Sequence, residues 1–139
     1  MIMVDTSVWI DYFNGVENAG TILLDQYLVN DLVVTGDIIL AEILQGFRSD
    51  RDFSLAKEAL LRLDCFDMIG KEIAIASAEN FRLLRKKGVT IRKTTDMIIA
   101  TFCMLNNLPL LFNDRDFLPI ADHLGLVPAA DPHGYYAAE

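Results

Sequence analysis

Four acidic residues of this chain stand among apolar neighbours, where a carboxylate is costly to bury without a partner. Asp5 directly follows the apolar residues 1–4, and Glu42 stands inside the run IILAEILQG. Asp96 opens the apolar stretch TTDMIIATFCML, and Asp114 comes just after the apolar PLLF. Carboxylates are the ligands that hard divalent cations prefer, so these positions are candidates for a reaction centre.

Each of these acids also has an ordinary structural interpretation. Asp5 can cap a helix that begins at Thr6, and Asp114 can be a turn or cap residue. Asp96 suits the first turn of a helix, where the helix dipole favours an acid. Glu42 is the hardest to explain in this way, because a carboxylate inside an apolar helix has to reach an edge, a partner or a metal ion.

Apolar runs that alternate with amphipathic segments predict the elements that position these acids. Continuous apolar runs predict strands at 1–4, 32–35, 65–69 and 108–112, and residues 126–127 are a candidate for a fifth strand. Helical spacing predicts helices at 6–13, 19–29, 37–44, 52–63, 71–87, 95–106 and 115–123, of which the almost uncharged 95–106 should be central. Buried strands alternating with helices are typical of a parallel sheet covered on both faces, so we predict an α/β fold.

The carboxyl ends of parallel strands lie at one edge of the sheet, and ligand sites form there, near the point where the strand order reverses. Two of the four acids follow strands, and two lie near the starts of helices, so all four are expected at this edge. Carboxylates that converge repel one another unless a cation holds them. Oxygen ligands without His or Cys suit Mg²⁺ or Mn²⁺, and one or two such ions commonly activate water for the cleavage of phosphate esters.

The composition is that of one globular domain, predicted to span residues 1–139. The apolar fraction is 53%, with only 4 Pro and 8 Gly, which excludes a disordered or fibrous chain. Residues 130–139 are expected to form a loose C-terminal tail. Residues 97–113 carry no charge but are broken by Pro109, and no leader is evident, so we expect a cytoplasmic protein without a membrane partner. Cys65 and Cys103 are expected to be buried free thiols.

The charge distribution is uneven along the chain. Residues 82–93 contain six basic residues and no acid, whereas the rest of the chain holds 6 bases and 20 acids, a net charge of −14. This basic segment suits the solvated C-terminal end of a helix, where bases are favourable. It is equally sufficient to guide a phosphate backbone to one face of the protein.

Taken together and in order, the motifs resemble the PIN-domain ribonucleases of the VapC toxin family. The matching segments are VDTSVWIDYF, LAEILQG, TTDMIIATFCMLNNLPLL and NDRDF, which extend from residue 3 to residue 117. The resemblance implies a three-layer α/β/α sandwich with a mainly parallel sheet of four to five strands. It also implies endoribonuclease activity that depends on Mg²⁺ or Mn²⁺, the role of toxin in a type II toxin–antitoxin system, inhibition by a cognate antitoxin protein, and a homodimer.

The resemblance also assigns roles to individual residues. The expected catalytic and metal-binding acids are Asp5, Glu42, Asp96 and Asp114. Asp116 lies close enough to share or replace the role of Asp114. A supporting hydroxyl is assigned to Thr6, and contacts to RNA phosphates are assigned, from their proximity in sequence to Asp96, to Arg92 and Lys93.

One position departs from the family pattern. Many relatives carry Thr or Ser two residues before the fourth acid, and this chain has Phe112 there. Either that supporting hydroxyl is missing or Asn113 supplies the polar group instead.

Two other functions compete with the nuclease. A catalytically inactive PIN-like protein-binding module would keep the fold with structural carboxylates. A phosphoryl-transfer or signalling domain would use Asp5 as an aspartyl-phosphate nucleophile, but it would carry a second acid two residues after Asp5 or paired acids before it. The flanking residues are Met3-Val4 and Thr6-Ser7, which disfavours both arrangements.

Overall fold

Four parallel strands form a sheet with the order β3-β2-β1-β4. The structure is a computed structural model, and it describes residues 1–130. In chain order its elements are β1 (Ile2–Val4), α1 (Thr6–Phe13), α2 (Ala19–Val29), β2 (Val33–Gly36), α3 (Asp37–Gln45), α4 (Asp50–Leu60), β3 (Asp64–Phe66), α5 (Lys71–Lys86), α6 (Thr94–Leu105), β4 (Leu110–Leu111), a 3₁₀ turn (Arg115–Phe117) and α7 (Leu118–Leu124).

Strands β1, β2 and β4 are covered on both faces. Every residue of β1, β2 and β4 is buried, although successive side chains of a strand point to opposite faces of the sheet. Helices must therefore pack on both sides, as parallel sheets require. The predicted three-layer α/β/α sandwich with a parallel sheet of four to five strands is confirmed, with four strands in the described part of the chain.

Helix α6, in which Asp96 is the one charged residue, is the most deeply buried helix within residues 1–130. All eight consecutive residues from Asp96 to Cys103 are buried, which covers more than two full turns of the helix on every side. Its predicted central position is confirmed, and its first turn carries a carboxylate into that interior.

The predicted third strand is wrong in its burial. β3 is the edge strand at Asp64–Phe66, and all three of its residues are exposed. Cys65 is consequently exposed rather than buried, whereas Cys103 is buried as expected. The apolar pattern of residues 65–69 comes instead from the segment after the strand, where Met68 is fully buried.

The end of the described chain also differs from the prediction. The candidate fifth strand is a single parallel bridge between Leu110 and Pro128. The predicted last helix is a 3₁₀ turn followed by α7, which starts later because Pro at its first turn favours a new helix start there. The expected C-terminal tail lies outside the described residues, apart from its first residue. None of the helices within residues 1–130 is long and apolar enough to cross a bilayer.

A close contact between Gly36 and Met68 joins the end of β2 to the segment after β3. A Cβ atom at Gly36 would overlap Met68 Sδ and Met68 Cγ. Asp37 Oδ1 accepts a hydrogen bond of 3.0 Å from the backbone N–H of Met68 at the same place. Because Met68 is fully buried, its side chain has no solvent to move into.

We therefore expect Gly36→Ala to lower the free energy of unfolding by roughly 1–3 kcal/mol, the usual cost of overpacking a core. Urea titration followed by circular dichroism measures this change. Gly46→Ala is the matched control, because a Cβ there meets only ordinary contacts at 3.4 Å and beyond, and its stability should stay near wild type. Equal stability of Gly36→Ala and wild type would contradict the packing argument.

Candidate active site

The point where the strand order reverses lies between β1 and β4. The chain builds β2 and β3 on one side of β1 and then returns to place β4 on the other side. Val4 pairs with Leu111 in parallel register, so both strands end at the same edge. Asp5 follows the first of these strands, and Asp114 follows the second by three residues. Ligand sites in open parallel sheets form at this edge.

Four of the sequence-predicted acids line one cavity of about 240 Å³ at this edge. Asp114 is one of them, and the other three come from the end of β1, the middle of α3 and the first turn of α6. The residues that line the cavity are Asp5, Thr6, Ser7, Ile10, Glu42, Gln45, Lys93, Asp96 and Asp114. Lys93 is the one basic residue in that lining, so the cavity is strongly anionic when all four acids are ionised.

Asp5 has both a capping role and a place in the cavity. Its Oδ2 accepts hydrogen bonds from Ser7 Oγ at 2.7 Å and from the Ser7 backbone N–H at 3.3 Å, which caps α1. The side chain is only 3% exposed. Burial raises the pKa of Asp5 to about 6, although the Ser7 hydrogen bonds act to lower it.

Asp96 is the acid whose environment is least complete. It is 5% exposed, and its buried Oδ2 has no hydrogen-bond partner in the described structure. Burial, followed by the charges of Asp5 and Asp114, raises the pKa of Asp96 to about 7, and Lys93 acts in the opposite direction. A buried carboxylate oxygen without a donor is satisfied by a proton, a water or a cation, and Asp96 therefore has room for a further partner.

Glu42 is held by hydroxyl groups from two other elements. Thr6 Oγ1 donates to Glu42 Oε1 at 2.8 Å, and Thr95 Oγ1 donates more weakly to Oε2 at 3.4 Å. The two bonds connect α3 to the starts of α1 and α6. They orient the Glu42 carboxylate and supply the hydrogen-bond donors that the surrounding apolar helix lacks.

The segment after β4 contributes two acids. The Asp116 backbone N–H donates to Asp114 Oδ1 at 2.9 Å, so Asp114 caps the 3₁₀ turn. One carboxylate oxygen from each of Asp96, Asp114 and Asp116 lies within 4.8 Å of the others. Asp116 is also bound by the guanidinium of Arg92, with Nε to Oδ2 at 3.2 Å and Nη2 to Oδ2 at 3.1 Å.

The amide nitrogen of Asn113 binds Asp11, an acid outside the predicted site. Its Nδ2 donates to Asp11 Oδ2 at 3.0 Å, and Asn18 Nδ2 donates to the same oxygen at 3.1 Å. Asp11 therefore ties the segment after β4 to α1 and to the start of α2. This contact fixes the backbone next to Asp114, whereas Phe112 is buried in the core and packs on Phe117.

Sequence reasoning missed three polar groups of the site. Ser7 binds Asp5, Thr95 binds Glu42, and Gln45 lines the cavity. Ser7 and Thr95 each carried a local signal, because each lies within two residues of a predicted acid. Gln45 lies one helical turn after Glu42 on the same face of α3, which is a weaker signal.

A family model described as the PIN domain matches residues 2–122, which is most of the chain. The chain belongs to the PIN domain family. The resemblance seen in the motifs is confirmed, and the matched residues contain all the acids discussed above.

Two mycobacterial relatives of this PIN domain are VapC proteins. VapC ribonuclease Mb1587 of Mycobacterium bovis and ribonuclease VapC11 of Mycobacterium tuberculosis are each 25% identical over 123 residues, which is 87% of this chain and 92% of those proteins.

Two VapBC complexes are among the solved structures of similar fold. DNA-bound VapBC from Salmonella typhimurium has a TM-score of 0.72 at 20% identity, covering 92% of this chain and 96% of that one. VapBC2 from Rickettsia felis, bound to a promoter DNA fragment, has a TM-score of 0.68 at 22% identity, covering 85% and 91%. At these identities the likeness establishes the PIN fold.

The raised pKa values of Asp5 and Asp96 predict how stability depends on pH in a chelator-containing buffer. Both values lie above the ordinary 3.8, so the folded protein binds more protons than the unfolded chain between about pH 4 and pH 7. Stability contributed by these groups is therefore lost as the pH rises through that window. For Asp5 the loss between pH 5 and pH 8 is about 1 kcal/mol.

Thermal unfolding with EDTA at pH 5 and pH 8 measures the effect. Asp96→Asn should be more stable than wild type at pH 8, because it removes a buried charge, and should depend less on pH. Asp122→Asn, at an exposed acid of α7, is the control and should follow the wild-type profile. An Asp96→Asn protein that is less stable than wild type at pH 8 would contradict the charge argument.

Proposed function

We propose that this PIN domain is an endoribonuclease that depends on Mg²⁺ or Mn²⁺ and acts as the toxin of a type II toxin–antitoxin pair. Asp5, Glu42, Asp96 and Asp114 are its proposed catalytic and metal-binding acids, and Asp116 is a further candidate ligand.

The observation that carries the proposal is the buried Asp96 Oδ2. This oxygen has no donor in the described structure, and it belongs to a carboxylate whose neighbours are other carboxylates. The cavity offers oxygen donors from side chains and no His or Cys in its lining. That set of donors fits a hard divalent cation, and Mg²⁺ or Mn²⁺ in particular.

The named relatives support the choice of substrate. Both mycobacterial proteins carry the name ribonuclease, and they align with 87% of this chain. A bound divalent cation lowers the pKa of an attacking water and stabilises the charge that develops on a phosphodiester. Hydrolysis of RNA is consistent both with this chemistry and with the names of the relatives.

The residues of the chain have separate tasks in this proposal. Asp96 and Asp114 supply ligand oxygens, and Asp5 adds a third charge from the end of β1. Glu42, oriented by two Thr hydroxyls, accepts a hydrogen bond from the water that attacks the phosphorus. Lys93 lies at the cavity and would pair with a phosphate of the substrate, and Arg92 lies beside it.

The partners follow from the same comparisons. The similar Rickettsia and Salmonella structures are VapBC complexes bound to DNA, and another similar structure is a toxin–antitoxin complex from Klebsiella pneumoniae. We infer from them that this chain also has a cognate antitoxin. The homodimer expected from the resemblance stays a prediction, which the molar mass in solution tests. The competing function is an inactive PIN-like binding module. Such a module would bind a protein partner and would not cleave RNA.

Purified protein should cleave total cellular RNA in the presence of Mg²⁺ or Mn²⁺, and EDTA should abolish the cleavage. Asp5→Ala and Asp96→Asn should each lower the rate by at least about 100-fold, because they remove charge at the reacting centre. Mapping of the 5′ ends by sequencing measures the activity and identifies the target. Glu58→Gln, at an exposed acid of α4, is the control and should keep full activity.

Cleavage that persists in EDTA and in Asp5→Ala would exclude the proposed mechanism. The absence of cleavage in wild type, together with tight binding of a protein partner, would support the inactive binding module.

Induced expression in a bacterial host should arrest growth if the protein is a toxin. Asp96→Asn should remove the arrest without loss of soluble protein, and co-expression of the cognate antitoxin should restore growth with wild type. Optical density and the amount of soluble protein measure these outcomes. Arrest by Asp96→Asn as strong as that by wild type would contradict a toxicity that depends on catalysis.

A further inference from the structure

Arg92 connects the two segments that border the anionic cavity. It lies in the loop before α6, and its partner Asp116 lies 24 residues later in the 3₁₀ turn after β4. Three contacts join the guanidinium to the carboxylate: Nε to Oδ2 at 3.2 Å, Nη2 to Oδ2 at 3.1 Å and Nη2 to Oδ1 at 3.4 Å. A guanidinium that binds a carboxylate through two nitrogens fixes the orientation of the carboxylate and also partly neutralises its charge.

Asp116 is also a neighbour of the proposed cation ligands. One of its carboxylate oxygens lies within 4.8 Å of oxygens of Asp96 and Asp114. The buried Asp96 Oδ2, which has no partner in the described structure, points independently to a cation at this cluster. With a cation at this cluster, Asp116 would have two competing interactions, one with the guanidinium of Arg92 and one with the cation.

The exposure of the pair allows this competition. The Arg92 side chain is 79% exposed, whereas the Asp116 side chain is 26% exposed. The guanidinium thus approaches Asp116 from the solvent side and lies where an anion from solution can reach it. Exposed ion pairs of this kind contribute only about 0–1 kcal/mol, so the contact can exchange.

We propose that Arg92 is a positioning residue that withholds Asp116 from the cation and thereby sets the affinity of the site for Mg²⁺ or Mn²⁺. This inference rests on the proposed metal dependence. When an anion such as an RNA phosphate binds the Arg92 guanidinium, the Asp116 carboxylate is free to move toward Asp96 and Asp114. Because such coupling is reciprocal, RNA tightens the binding of the cation and the cation tightens the binding of RNA.

The test is a double-mutant cycle read by calorimetric titration with Mn²⁺ in the absence of RNA. The proteins are wild type, Arg92→Gln, Asp116→Asn and the double variant. Arg92→Gln frees Asp116, so its Kd for Mn²⁺ should fall by about 2- to 5-fold, which corresponds to the strength of an exposed ion pair. In the Asp116→Asn background the same substitution should leave the Kd unchanged.

Lys93→Gln is the matched control for charge alone. Lys93 lines the cavity itself, so its removal should tighten Mn²⁺ binding by the same factor whether residue 116 is Asp or Asn. Melting curves in EDTA check that every variant folds; the exposure of Arg92 favours this.

Three results would overturn the inference. Equal Kd values for wild type and Arg92→Gln would show that the ion pair does not restrain Asp116. An equal effect of Arg92→Gln in both backgrounds would show that Arg92 acts through its charge and not through Asp116. If wild type binds no Mn²⁺ at all, the proposed metal dependence fails and this inference fails with it, whereas the first two results leave the proposed function intact.

Discussion

The burial of carboxylates at one edge of a parallel sheet is the constraint on which the rest of this structure depends. Asp5 and Asp96 are almost fully buried, and burial raises the pKa of both acids. The protein therefore carries charges that the folded state alone does not stabilise. A cation bound among these carboxylates would stabilise their charges, and this is the physical basis of the proposed metal dependence.

Local hydrogen bonds allow these acids to lie so close to one another. Asp5 caps α1 and Asp114 caps the 3₁₀ turn, so each has a structural role as well as a place in the cavity. The capping interpretation and the functional one were alternatives when each residue was considered alone. In the fold they are compatible, because a cap fixes the direction of a carboxylate at the same time as it stabilises the helix start. Glu42 obtains the same restraint from the hydroxyls of Thr6 and Thr95.

Much of the fold was predictable because its signals are local. Strands buried on both faces are continuous apolar runs, and β1, β2 and β4 follow that rule. β3 does not follow the rule, because all three of its residues are exposed, whereas β4 at the opposite edge of the sheet is buried. The apolar run near β3 reflects Met68, which packs against Gly36 after the strand has ended. Such a contact depends on a neighbour more than 30 residues away, which no local pattern records.

The site was predictable to a similar degree. The acids could be recognised because carboxylates in apolar surroundings need an explanation, and the family resemblance gave their order. The hydrogen-bond partners of those acids were harder to predict from the sequence. Thr95 binds a residue 53 positions away, Arg92 binds Asp116 across two loops, and Asn113 binds Asp11 across 102 positions. These pairs exist only once the sheet has brought its strand ends together.

The most direct test of the central claim is an anomalous difference map from crystals grown with MnCl₂. We predict a manganese peak within coordination distance of Asp96 and Asp114, with Asp5 on the same ion or on a water bound to it. A map without a peak in this cavity, in which each carboxylate instead pairs with its own lysine, arginine or amide, would contradict the account.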